Sequence, residues 1–218
     1  MITMLAPMAA AKPPTVPRGK PQAGDPEIVG YFIQVGGVRP AVLREDFATF
    51  QGYDLAGAWD LSSTNHHSKL FAPQGDPLSQ FSVDQTVQAY LDRGAPAHKL
   101  VMGVPFYGRG WTGVADVNNG LYQPATAAAP GTFEAGFEDY KVLKTLTDQG
   151  FTRYWDAEAQ VPWLFDGTTF WTYDDPESLG IKAEYVNDNG LGGMMFWEVT
   201  GDTSNGELIT AIHSGLTE

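Results

Sequence analysis

Three short segments bring together residue types suited to acid, base or polar-recognition chemistry: Tyr53-Asp54, Tyr107-Gly108-Arg109 and Trp197-Glu198. Each closes an apolar run: Ala48–Leu55 (ATFQGYDL), Lys99–Phe106 (KLVMGVPF) and Gly192–Val199 (GGMMFWEV). Runs that are apolar along their whole length read as strands buried on both faces, the pattern of a parallel sheet. In such sheets ligands bind at the carboxyl ends of the strands. The five side chains Tyr53, Asp54, Arg109, Trp197 and Glu198 should therefore share one rim. A strand-end Asp often only caps a helix, and a Trp-Glu pair often only packs and solvates. It is their joint occurrence at three strand ends that points to a ligand site. The chain is also rich in aromatics, with six Trp and nine Tyr. Flat apolar rings with a polar edge are surfaces on which sugar rings stack.

Other chemistries are weaker. His66 and His67 are adjacent on a predicted loop, a spacing that rarely ligates one ion, and no carboxylate pattern supports them, so no metal is expected. Gly190-Leu191-Gly192-Gly193 opens a strand and not a helix, which excludes a dinucleotide fingerprint. No Gly-x-Ser-x-Gly elbow occurs. The chain has no cysteine, which removes disulfides and thiolate metal sites. No cofactor is expected.

The 218 residues suffice for one sizeable domain, and 43% hydrophobic against 18% charged residues supports a packed core. The net charge of -13 argues against nucleic acid or an anionic membrane as partner. No apolar run reaches the ~18 residues needed to span a bilayer. Residues 1–26 read as an appendage. Met1–Ala11 is apolar without the basic start of a signal peptide, and Lys12–Pro26 is a Pro-rich, extended linker.

The elements that must position the rim follow from periodicity and punctuation. Glu27–Val35 is a further buried strand, and Arg39–Asp46 a short helix or turn. Ser82–Arg93 is a helix capped by Ser82, with Val83, Val87, Tyr90 and Leu91 on one face and Gly94 as its stop. Residues 112–172 form a small α+β insert, with a helix over about Gly136–Gln149. A hairpin of Trp163–Phe165 and Thr168–Tyr173 turns at Asp166-Gly167. Asp175 caps a helix with Pro176 at its first position, ending at Gly190. A last helix covers about Asn205–His213.

Longer strings sharpen this reading. Tyr53-Asp54-Leu55-Ala56-Gly57-Ala58-Trp59-Asp60 resembles the sixth-strand motif of the family 18 chitinases, and Asn65-His66-His67-Ser68-Lys69-Leu70 the segment after it. Met102 to Trp111 (MGVPFYGRGW) resembles their seventh strand. Tyr173 to Ser178 and Gly190 to Glu198 resemble the approach to the eighth strand and the strand itself. Val29-Gly30-Tyr31-Phe32 resembles the first strand. The insert sits where bacterial members carry an α+β insertion. The resemblance implies a substrate-assisted glycoside hydrolase site for chitin or chito-oligosaccharides, in an extracellular protein. In it Tyr53 and Asp54 take catalytic positions, and Glu198 takes a substrate-side position from which it is a catalytic candidate where another carboxyl must serve as acid. Trp197, Arg109, Tyr107, Met102, Trp59, Asp60 and Phe32 line the substrate.

One motif is missing. The family's Asp-x-x-Asp-x-Asp-x-Glu string, whose Glu is the general acid, has no counterpart, and strands two to five are absent between about Val38 and Ala48. The expected fold is α/β: a partial, half TIM-type barrel of about four parallel strands (27–111 and 173–218) with the insertion at 112–172. In a closed barrel the eighth strand lies beside the first, so the four strands should run six, seven, eight, one. The first and second strands of this chain would then form the edges. Those edges predict a homodimer, with the alternative that the N-terminal linker folds back over one edge and keeps the protein monomeric. Function then divides into three readings: hydrolysis with a relocated acid (Asp54, Glu198 or Asp60), a lectin-like module that binds N-acetylglucosamine oligomers without cleaving them, or a fragment without function that folds because its half-barrel self-associates.

Overall fold

The computed structural model describes residues 30–33, as backbone, and residues 46–217. The 1–26 segment, the Arg39–Asp46 helix or turn apart from its last residue, and Ile28 lie outside the described residues.

The elements in chain order are β1 (Gly30–Ile33), β2 (Phe47–Gln51), α1 (Val83–Leu91), β3 (Leu100–Pro105), β4 (Tyr107–Thr112), β5 (Ala127–Ala128) and β6 (Phe137–Asp139). They continue with α2 (Tyr140–Leu143), β7 (Thr152–Asp156), β8 (Val161–Phe165), β9 (Thr169–Thr172), α3 (Pro176–Asp188), β10 (Gly193–Trp197) and α4 (Glu207–Thr217). Local signals explain most of the boundaries. Ser82 accepts from the Gln85 amide at 3.2 Å and starts α1. Asp175 and Ser178 cap α3 reciprocally, with Pro176 at its first position. Asp166 accepts from the amides of Thr168 (2.9 Å) and Thr169 (2.7 Å), and Gly167 takes φ +101°, which closes the β8–β9 hairpin. The helix expected over Gly136–Gln149 is shorter. Its first residues are β6, and after α2 the chain tightens into a 3-10 turn over Lys144–Gln149.

Two sheets result. Strands β1, β2, β3 and β10 lie in that order, all neighbours parallel. The second sheet is antiparallel, in the order β5-β4-β9-β8-β7, with β6 also pairing with β4. Its hydrogen bonds begin at Tyr107, so the seventh-strand string is split. Leu100–Pro105 serves the parallel sheet and Tyr107–Thr112 the antiparallel one. One core lies between the parallel sheet and its helices, around Phe50, Met102, Val104, Phe106, Leu179, Val186 and Leu208. A second fills the antiparallel unit around Trp111, Trp163, Phe165 and Phe170.

The strand order corrects the expected one. β1 pairs with β2, Gly30 opposite Phe47, and not with β10. The edges are therefore β1 and β10, and β2 is internal. The reason is reach: a crossover of about a dozen residues suffices to join adjacent parallel strands. The connection from Ile33 to Phe47 has that length, whereas the free side of β10 lies beyond β2 and β3.

Candidate active site

Three strand ends meet at one end of the parallel sheet. Just past β2, Tyr53 is buried and Asp54 sits at φ +59°, a left-handed conformation that Asp tolerates better than most residues. Past β3 the chain enters β4 with Tyr107 and Arg109. β10 ends at Trp197, whose carbonyl accepts from the Phe106 amide at 2.7 Å and ties its end to that of β3.

Asp54 is the centre. Its Oδ1 accepts from Arg109 Nε at 2.8 Å and from the Tyr107 hydroxyl at 2.9 Å, while its Oδ2 accepts from Arg109 Nη2 at 3.0 Å. This is a bidentate, charge-assisted grip. His67 Nδ1 stands 3.7 Å from Oδ1, beyond hydrogen-bond reach but close enough to act on the charge. Burial works to push the Asp54 pKa up. The His67 contact and the Arg109 fork and charge outweigh it and hold the carboxyl well below the usual carboxylate range. Burial, followed by the Asp54 charge, pushes Tyr107 well above the usual phenol range. Burial also raises Tyr53, which stays a neutral hydroxyl donor. Burial lowers His67, against the Asp54 contact and charge, which raise it.

Arg109 is boxed by aromatic rings. Its guanidinium carbon lies 5.2 Å from the ring centres of Trp59 and Tyr107 and 5.5 Å from that of Phe137, and Glu134 stands 3.7 Å from Nη1. Such cation–π contacts fix the plane of the guanidinium without consuming its donors. The Trp59 ring folds back over Gly57, where an added Cβ would fall 2.1 Å from a ring carbon, so Gly57 permits that pose.

The sequence-named residues thus separate. Tyr53, Asp54, Tyr107, Arg109 and Trp59 form one contiguous group. Trp197 (51% exposed) and Trp59 (39% exposed) offer open ring surface. Glu198 is exposed and accepts from the Thr200 hydroxyl. Asp60 lies on the outer loop, where bonds from Ser62 lower its pKa. Met102 is fully buried on the helix-facing side of β3 with Phe50 and Val104, away from the rim. The side-chain period of two along a strand decides this: Gly103, one residue on, has its Cβ direction toward Tyr53 and Met195. Phe32 belongs to β1, at the far edge from Trp197. Among the described residues, no group of three or more His, Cys, Asp or Glu could hold a metal ion. The two histidines face apart, His66 Nε2 to Asp156 at 3.1 Å and His67 to Asp54.

Sequence reading missed Phe137, Glu134 and His67. Phe137 and Glu134 belong to a segment that β6 folds back along β4 (Arg109 opposite Phe137), a pairing with no local signal.

The model of the glycosyl hydrolases family 18 matches residues 16–202. The chain belongs to that family. Chitinase A1 of Niallia circulans is 42% identical over 167 residues, 72% of this chain. The chain spans about a quarter of that relative's length, 24%. Among solved structures, the Group IV chitinase of Ostrinia furnacalis in complex with allosamidin superposes with TM-score 0.79 at 29% identity, over 87% of this chain and 57% of that one. A class V chitinase from Nicotiana tobaccum in complex with NAG4 superposes with TM-score 0.76 at 29% identity, over 85% and 56%. Family 18 membership agrees with the order of the motifs from Tyr53 to Glu198.

Proposed function

We propose that this family 18 chain carries a chitinase-type glycoside hydrolase site for N-acetylglucosamine oligomers, working with substrate assistance and slowly. The observation that carries the reading is the Asp54 carboxylate gripped by Arg109 and Tyr107 beside the neutral Tyr53 hydroxyl. A fixed anion next to a phenol donor is what an acetamido group needs to be held while its own oxygen attacks the anomeric carbon. Trp197 and Trp59 supply apolar floor for the sugar rings. Arg109 and Tyr107 act mainly by holding Asp54. Asp60 follows Trp59 on the outer loop, and Phe32 and Met102 contribute least from their positions. As relocated acid, Asp54 is disfavoured by the Arg109 fork that holds it as an anion, and Asp60 by the bonds it accepts from Ser62 on the exposed outer loop. Glu198 is the carboxyl left for protonating the leaving oxygen. General acid catalysis is worth ~10²–10⁴-fold, so an improvised acid means slow turnover.

A second reading, lectin-like binding without cleavage, is favoured by that same absence of an acid fit for the task at Asp54 and Asp60. A chromogenic chito-oligosaccharide assay with binding measured alongside separates the two. Slow release that Glu198→Gln abolishes while binding persists supports hydrolysis. Binding with no release in the parent protein establishes the lectin-like reading. Neither binding nor release sinks both.

The same proposal includes an extracellular protein with a linker at 1–26 and an insertion at 112–172. Its parallel sheet is half of a β/α barrel and self-associates as a homodimer through exposed edges. Among the described residues no helix is long and apolar enough to cross a membrane.

A further inference from the structure

We infer that two copies close one eight-stranded barrel, with β10 of each chain pairing in parallel with β1 of the other. This rests on the self-association proposed above and gives it a geometry. The parallel sheet holds four strands in the order β1-β2-β3-β10, and among the described residues neither β1 nor β10 has a neighbour on its outer side. Eight parallel strands are what a β/α barrel of this kind needs to close. A two-fold axis along the barrel maps each strand onto the fourth one away and keeps every strand pointing the same way. All eight strands then remain parallel, and both raw edges of both chains disappear in two equivalent seams. A two-fold axis across the sheet would instead set edges antiparallel and leave two edges open.

Three observations favour a second copy as occupant. The edges match in length and direction, with four residues in β1 and five in β10. β10 is apolar (GMMFW) yet none of its residues is fully buried and Trp197 is half exposed, unlike the six-residue β3 beside it, which is buried at all but one position. In the sequence, Lys12–Pro26 is Pro-rich, and proline cannot donate to a ladder. The new seam has a consequence for the site. Within one chain, Phe32 and Trp197 lie on strands separated by β2 and β3, about 14 Å across the sheet at the usual strand spacing. Across the seam, the partner's β1, the strand that carries Phe32, is the immediate neighbour of β10.

The test uses the full chain, which has no cysteine of its own. Variants Tyr31→Cys, Ile33→Cys and Met195→Cys are made singly, mixed in pairs at micromolar concentration and treated with a short bis-maleimide. Salt at ~0.3 M shortens the screening length to about 6 Å and so weakens repulsion between two chains of charge -13. The expected result is a cross-linked species of twice 23.6 kDa from the mixture of a β1 variant with Met195→Cys, several-fold more abundant than from either alone. Should Met195→Cys fold poorly, Trp197→Cys, at an exposed position, replaces it. A link dominated by Met195→Cys with itself overturns the parallel seam. A link closed within one chain of the Tyr31→Cys, Met195→Cys double variant also overturns it, by putting β1 beside its own β10. A dimer by sedimentation without the mixed link sinks only the seam. A single 23.6 kDa species in sedimentation sinks self-association itself.

Discussion

Asp54→Asn removes one charge and almost no volume, and Asn is at home at the φ of +59° that this position requires. In the wild type three donor contacts converge on the carboxylate: Arg109 Nε at 2.8 Å, Arg109 Nη2 at 3.0 Å and the Tyr107 hydroxyl at 2.9 Å. The amide oxygen can accept from only one side of the Arg109 fork, and its NH₂ then confronts the other as donor against donor. A hydrogen bond to a charged group is worth about 1.5–3 kcal/mol, and the Asp54 side chain is 31% exposed, so a loss near the lower end, about 2 kcal/mol, is expected. For a chain of this size that is a drop in Tm of roughly 4–8 °C. The pH dependence supplies the check. The folded-state pKa of Asp54 lies below its unfolded value, so its stabilisation is fully present above about pH 4 and is lost as pH falls toward the folded value. The gap in denaturation midpoint between wild type and Asp54→Asn should therefore be constant from pH 7 to pH 5 and shrink below pH 4. Chemical denaturation at a series of pH values reads it. A gap that is absent at pH 7, or that stays the same down to pH 2.5 while both proteins remain folded, would refute the grip as described. Affinity for an acetamido sugar should fall at least ~10-fold in the same variant; equal affinity would mean that the site lies elsewhere.

Trp197→Ala and Trp59→Ala should each weaken chito-oligosaccharide binding in fluorescence titration. Trp197→Ala should change stability by no more than ~0.5 kcal/mol, because its ring is half exposed; a large loss of stability would make it a core residue instead. Lys182→Met should destabilise by about 3–5 kcal/mol in urea unfolding. It strands the fully buried Asp174, to which Lys182 is bonded at 2.6 and 2.7 Å, and frees the Ser68 carbonyl next to His67. Replacing Asp174 by Leu in the same chain should return much of that loss, and no recovery would show that the pair is not the source. In alkaline absorbance titration, Tyr107 should ionise only well above the ordinary phenol range or on unfolding, since burial and the Asp54 charge both oppose its anion. Tyr107→Phe leaving the titration above pH 11 unchanged would count against that assignment.

Much of the local structure was legible in the sequence. The Ser82 cap, the Asp175-Pro176 start and the Asp166-Gly167 turn act through groups within a few residues, so the string alone contains both partners. The rim was legible in part for a similar reason: parallel strands carry their functional residues at one end, and Tyr53, Asp54, Tyr107 and Arg109 do meet there. Met102 failed because the choice of strand face depends on which residues the sheet turns toward the helices, a matter of register against Phe50 and Met194. Glu134, Phe137 and His67 were invisible at the site because β6 and the 60–81 loop are brought there by packing across the chain. The place of β1 was misjudged for the same physical reason. Sequence determined that Gly30–Ile33 is a strand and that the chain holds the family 18 motifs from Tyr53 to Glu198. Only the tertiary structure decided which edge that strand takes, and that Asp54 stays ionised, because strand order and carboxyl electrostatics are set by residues 13 to 55 positions away in the chain.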